Sequence, residues 1–169
     1  MGAYYGAEIA VDLIQDHIKT NIASALANVR ASRLDPIVST EPPKEYFIYA
    51  NANVYRPPAV FTIFESQKIL DADGGNHINA VDHIMVVCVV EDRLERLLTI
   101  KAWRYQAAMM QILHLVNLTN SNGGIKLFSR VDSCEFSPIV NLTGKKGEEL
   151  IFQKEMGLRL LVDHIENLE

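Results

Sequence analysis

The chain has 169 residues, of which 49% are apolar and 22% charged, with a formal net charge of −5 at pH 7. That length suits one domain with a real core and is short for two. The acidity argues against a nucleic-acid-binding module, which shows a basic face. The longest unbroken apolar run, the seven residues Ile84 to Val90, is far below the roughly 20 that cross a bilayer, so no membrane partner is expected.

The first residues, MGAYYGAEIAVDLIQDH, have no basic stretch leading into an apolar one and do not read as a signal peptide. Gly6 stands where a myristoylation signal places Ser or Thr. Without an export signal, Cys88 and Cys134 are expected to be buried thiols rather than a disulfide. The sequons at Asn117 and Asn141 then carry no meaning.

Along the chain, Val11, Ile14, Ile18, Ile22, Ala25 and Val29 recur at steps of three and four, which predicts a helix over 6–31, ~38 Å long. Arg30 and Arg33 suit its carbonyl pole, and Asp35-Pro36 ends it. Residues 35–45 form a loop into the sheet. A short strand follows over Tyr46 to Ala50. The pair Pro57-Pro58 marks an edge or a strand entry, because proline cannot donate to a ladder. A strand is predicted over Ala59 to Gln67, then a turn over Asp71 to Asn76, then a strand over Ala80 to Glu91.

A second helix is predicted from Arg93 to Leu118, with Asp92 as N-cap and Leu94, Leu98, Tyr105, Met109, Ile112 and Val116 on one face. Asn120 to Gly124 tolerate the left-handed backbone that ends a helix. Ile125 to Val140 alternate loosely as a strand. In the closing ELIFQKEMGLRLLVD, Phe152, Met156, Leu158, Leu160 and Val162 share one parity and Gln153, Glu155, Arg159 and Asp163 the other. The expected fold is therefore a single α+β domain over 1–169. A mixed or mainly antiparallel sheet of about five to six strands packs with two long helices, in the order α-β-β-β-α-β-β.

Motifs that would carry chemistry are incomplete. Asp71, Asp73, Asn76 and Asn79 resemble a calcium loop, but its fifth position is Gly75 and its twelfth Asp82, so a solvated turn is the better reading. Thr143-Gly144-Lys145-Lys146-Gly147 lacks the first glycine and the final Ser/Thr of a phosphate loop. It reads as a β-turn whose lysines are solvated or meet an acidic partner. His17, His77, His83, His114 and His164 show no metal spacing, and His164 with Glu166 near the chain end is a weak pair. No serine sits in a nucleophile elbow. Trp103 and Tyr105 on the second helix read as core. No catalytic, cofactor-binding or metal residue is assigned.

Two features lean towards assembly. In Ile84 to Val90, Ile84, Val86, Cys88 and Val90 face one way and Met85, Val87 and Val89 the other, so both faces need cover. The two helices supply it only by taking one face each; if they share a face, the other must find a neighbouring subunit. Leu150 to Asp163, fully extended, is ~45 Å, against a globule ~40 Å across. Such a strand either breaks, most plausibly at Gly157, or its hairpin overhangs the domain and reaches a partner.

In order and pattern, the chain resembles the tail terminator (tail completion or neck) proteins of long-tailed bacteriophages. The resemblance lies in the N-terminal helix, RPPAVFTIFES, the apolar strand leading into EDRLERLLTIKAWRYQAAMMQIL, and the closing ELIFQKEMGLRLLVD. It implies a virion subunit, made in the host cytoplasm, that forms a ring, expected to be hexameric, on the head-proximal end of the tail tube. Such a ring stops tube growth and joins the tail to the head connector. Its partners would be copies of itself, the tail tube protein and the neck proteins, with DNA passing through the channel without specific binding. It implies no catalysis and no cofactor. Ring contacts are expected from the apolar strand (Met85, Val87, Val89) and from two turns, one with Asp71, Asp73, Asn76 and His77, the other with Lys145, Lys146, Glu148 and Glu149. Two alternatives stay open. One is another head-completion or stopper protein, separated by its position in the virion. The other is a small ligand-binding or hydrolytic α+β enzyme, which requires a polar pocket with clustered perturbed side chains.

Overall fold

The computed structural model describes residues 6–33, 41–48, 55–73, 77–142 and 150–167. Among the described residues, two helices and seven strands run in the order α1 (Gly6–Arg33), β1 (Glu45–Phe47), β2 (Ala59–Asp73), β3 (His77–Asp92), α2 (Glu95–Leu113), β4 (Val116–Thr119), β5 (Ile125–Phe136), β6 (Val140–Asn141) and β7 (Phe152–Asn167). The strands form one sheet in the order β1-β2-β3-β7-β5-β4, with β6 on β7. The β1–β2 pair is parallel and every other pair antiparallel. This is the expected α+β class with a mixed sheet.

α1 forms where the apolar stripe predicts it. Ala10, Ile14, Ile18, Ile22, Leu26 and Val29 are buried on one side, and Arg30 and Arg33 stand in the last turn. At 1.5 Å per residue it is ~42 Å long. α2 lies over β3, β7 and β5, and α1 packs mainly along α2 and reaches β2, β3 and β4. Among the described residues no helix is long and apolar enough to cross a membrane.

The second helix is shorter than its pattern predicts. It stops at Leu113, Leu115 turns the chain with a left-handed φ of 57°, and Val116–Thr119 become β4 against Lys126–Ser129. The alternation of Val116, Leu118 and their neighbours satisfies a strand as well as a helix, and pairing with β5 decides it. Asn120 to Gly124 therefore close a hairpin rather than a helix: Ile125 N–H donates to Asn120 Oδ1 (3.1 Å), and Gly123 takes a φ of 71°. Asp92 is not the helix N-cap. That position is Leu94, without a side-chain cap, while Asp92 Oδ1, two residues earlier, accepts from Leu94 N–H (3.0 Å).

β7 runs unbroken through Gly157, paired residue for residue with β3 from Asn167↔His77 to Phe152↔Asp92. Gly157 does not break it. Register shifts fall instead in β5, between Val131 and Ser133, and in β2, between Phe64 and Ser66 and between Ile69 and Asp71. Before Phe152 the strand continues as the second arm of a hairpin with β6, where Leu142 N–H donates to Ile151 O (2.9 Å).

Both helices lie on the same face of the sheet. Ile84, Val86, Cys88 and Val90 of β3, with Met156, Leu158, Leu160 and Val162 of β7, are buried with α1 and α2 in the main core. Cys88 and Cys134 are free thiols, Cys88 buried and Cys134 half-buried.

Candidate functional site

The face turned away from the helices is only partly covered. At one end Ala59, Phe61 and Val89 are buried in a second, smaller cluster with Phe47, Tyr55, Ile63 and Val87. Phe47 stacks on Phe61 at 5.0 Å, and Tyr55 meets the Phe61 ring edge-on at 5.3 Å. β1 and Tyr55 thus close that end, which is why Val89 is buried while Met85 and Val87 remain half-buried. Beyond it the face opens into a groove of about 220 Å³, lined by Met85, Val87, Glu135, Glu155, Gly157 and Arg159 among others. The register explains the groove: Val87, Gly157 and Glu135 are cross-strand neighbours, and Met85 is opposite Arg159. Gly157 places no side chain at its centre, and a Cβ there would meet only the Glu135 carbonyl oxygen, at 4.0 Å.

Next to this face the β6–β7 hairpin carries exposed aliphatic side chains: Val140 50%, Leu142 45%, Leu150 53% and Ile151 37% accessible. Further exposed apolar groups are Ile69 and Leu70 on β2 and Trp103 on α2. Trp103 thus faces solvent instead of the core, while its neighbour-but-one Tyr105 is buried and donates to the Glu41 carbonyl.

Of the residues expected at an interface, Met85, Val87 and Val89 share the open face, the first two at the groove. His77 begins β3 opposite Asp73 and Asn167, so the strands extend past the expected turn boundary at Asp71. Asn76, Lys145, Lys146, Glu148 and Glu149 lie outside the described residues, as does the Thr143–Gly147 turn. The sequence reading takes Gly157 as a break in the last strand, not as part of a groove, and names an overhanging hairpin without the aliphatic residues of its stem. The signal for the stem was present: aliphatic residues bracket a glycine- and lysine-rich turn on both sides, in IVNLTGKKGEELI.

Two polar clusters have geometry that chemistry could use. Under the N-terminus of α1, His164 donates from Nδ1 to Asp82 Oδ2 (2.7 Å), while its Nε2 is 3.4 Å from Glu166 Oε2. Gln67 Nε2–H donates to Asp82 Oδ1 (2.6 Å), and Gly6 N–H donates to Glu166 Oε2 (3.2 Å). Asp82, His164 and Glu166 are all buried. The cluster therefore ties α1, β2, β3 and β7 together rather than facing a ligand. The separation of 82 residues between Asp82 and His164 hid it from motif reading. Among the described residues no group of three or more His, Cys, Asp or Glu is arranged to hold a metal ion.

The second cluster borders a cavity of about 270 Å³ between the β2 entry and α2, with Glu41, Lys44, Glu91, Lys101 and Tyr105 in its wall. Lys101 Nζ is 2.5 Å from Asp92 Oδ2 and donates to the Glu91 carbonyl (3.2 Å). Burial by itself would raise the Asp92 pKa, but hydrogen bonds from Lys101 and Leu94 bring it below the usual carboxylate range. Burial pushes Glu91 up, and pushes the Tyr105 phenol well up with help from Cys88 and Glu41. The lysine at this wall is thus engaged by Asp92.

No family model matches the chain, and no curated protein matches it. Among solved structures, a chain from the virion of a native gene transfer agent particle is similar at 12% identity with a TM-score of 0.34, over 86% of this chain and 97% of that one. A likeness so slight carries no functional argument.

Proposed function

We propose that this chain is a structural subunit of a phage-type particle, and that it forms the ring closing the head-proximal end of a tail tube. One observation carries the reading: both helices share a face of the sheet, and the opposite face keeps Met85 and Val87 beside a groove, next to an exposed aliphatic hairpin. Exposed apolar groups rimmed by polar residues are a common mark of a protein–protein contact. A closed ring of identical subunits covers it with one repeated contact. The ordered resemblance along the chain to tail terminators supports this position for the ring. On this reading the protein is not an enzyme, and the buried charges serve the fold.

Sedimentation velocity of the purified protein, alone and with tail tubes, tests the proposal. A discrete closed oligomer that binds tube ends and halts their growth is expected. A strict monomer that ignores tubes overturns it. A ring that binds head connectors but not tube ends would move the chain to a stopper role.

A further inference from the structure

Strand parity sorts charge onto the open face. Lys68 is opposite Val81 and Arg159 opposite Met85, while Arg130 and Lys126 sit across β7 from His83 and Asn79. All share the parity of Met85, so they stand on the side of the sheet away from the helices. These cations are exposed and spread from β2 to β5, ~14 Å across, on the end of the face away from Phe61. Arg130 is 3.7 Å from Asp163, and among the described residues no acid pairs with Lys68, Lys126 or Arg159. In a chain of net charge −5, cations gathered on one face leave the rest more acidic still.

The complement lies on the helix layer. Glu8, Asp12 and Asp16 recur at every fourth position of α1, all exposed, over ~12 Å. Asp16 is 3.5 Å from Lys19, and among the described residues no cation pairs with Glu8 or Asp12. Lys126 and Arg130, on one side of a strand, are ~13 Å apart, so the basic row and the acidic stripe match in length. Half-buried Ile9 and Leu13 flank the acids, and half-buried Val81, Met85 and Leu161 lie between the cations. The two surfaces are on opposite sides of one sheet, so a single chain cannot bring them together.

Charge constrains how copies can meet. Two chains of net charge −5 repel, and a basic face meeting itself would set Lys68 and Arg159 against their own images. Opposite signs meet when different faces join. We infer that the basic end of the open sheet face, with Lys68, Lys126, Arg130 and Arg159, takes the Glu8–Asp12–Asp16 stripe of α1 from the next copy of this chain. The contact is head-to-tail, the kind that closes into a ring when the rotation per subunit allows. Exposed ion pairs each contribute little, so the charges choose partner and register while the apolar residues between them supply buried area. The inference rests on the ring reading and specifies one of its contacts.

Charge reversal in the full chain tests it by sedimentation velocity. Lys68→Glu with Lys126→Glu reverses the face, and Asp12→Lys with Asp16→Lys reverses the stripe. All of these positions are exposed, and circular dichroism checks that each variant is folded. Either pair of substitutions is expected to weaken self-association by about tenfold or more, and both pairs in one chain should restore the wild-type oligomer. If either pair leaves assembly unchanged, or the combined variant fails to restore it, the face-to-stripe contact is wrong while the ring reading stands. If the wild type itself never assembles, alone or with tail tubes, both fall. Should a reversed variant unfold, Lys68→Gln with Lys126→Gln and added salt on the wild type replace it: both should weaken assembly, and assembly unmoved by either overturns the contact. Binding of the wild type to duplex DNA, lost when the face is reversed while assembly is kept, would assign the face to a nucleic acid instead.

Discussion

His164 Nδ1 lies 2.7 Å from Asp82 Oδ2, with both side chains buried between the sheet and the start of α1. Glu166 on the far side of the ring accepts from Gly6, so the imidazole sits between two acids that answer to three different elements. Such a group is costly to leave half made. Asp82→Ala is expected to destabilise the fold by about 3–5 kcal/mol, the range for removing one partner of a buried pair. Urea unfolding followed by circular dichroism measures it. A change below about 1 kcal/mol would mean that water reaches the cluster and compensates.

The Asp92–Lys101 pair has a pH signature. The folded-state pKa of Asp92 lies below its ordinary value, so its contribution is present above the unfolded value of about 4 and is lost as pH falls through the lower folded value. Lys101→Met should cost about 1 kcal/mol near neutrality and nothing once both forms are protonated in acid. Glu91, raised by burial, works in the opposite sense in both proteins and cancels in the difference. Stability curves of the two proteins that remain parallel from pH 7 down to pH 2 would refute the pair's role.

Thiol chemistry reports on the helix-covered face. Burial pushes the Cys88 thiol far above its usual range and raises Cys134 less, the latter eased by a hydrogen bond with Gln106. The thiolate is the reactive form, so in native protein Cys134 should alkylate slowly and Cys88 not at all. In denaturant the two should react alike, as peptide mass spectrometry would show. Fast native labelling of Cys88 would contradict the packing of α1 and α2 over β3.

Parity along β3 gives a sharper contrast. Val86→Asp, buried beneath the helices, is expected to prevent folding, because an unpaired charge enters the core. Met85→Lys, one residue earlier and on the open face, should leave a folded chain that no longer assembles. Melting curves and sedimentation run side by side separate the two outcomes. Equal damage from both would mean that the open face is as closed as the other.

Gly157→Ala should raise the stability of the isolated subunit by about 0.5–1 kcal/mol, because the backbone accepts a side chain and the unfolded chain loses freedom. A loss of stability instead would show that the strand itself requires glycine.

Much of the architecture was legible in the sequence, for reasons that can be named. The stripe from Ala10 to Val29 is long enough that only a helix satisfies it, and the alternation from Phe152 to Val162 only a strand. Where a stretch satisfied two patterns, the partner decided. Val116 to Thr119 continued the helical face of α2 but became β4 because β5 offered a ladder. Of the open face, parity alone exposed Met85 and Val87. Which face the helices would take depended on how α1 packs along α2, a contact between segments about 80 residues apart with no local trace. The Asp82–His164 contact was invisible for the same reason.

The sheet order has a consequence for how the molecule is made. β3 and β5 are not paired with each other; β7 lies between them, pairing with β3 along its whole length and with β5 from Met156 to Glu166. Until that strand leaves the ribosome, no strand joins the two halves of the sheet, and the inner edges of β3 and β5 stay unpaired. Folding must therefore be completed by pairings some 75 residues distant in the chain, a topology that closes slowly. Stalled or truncated chains would present sticky unpaired edges, and expression at low temperature or with chaperones should improve the soluble yield.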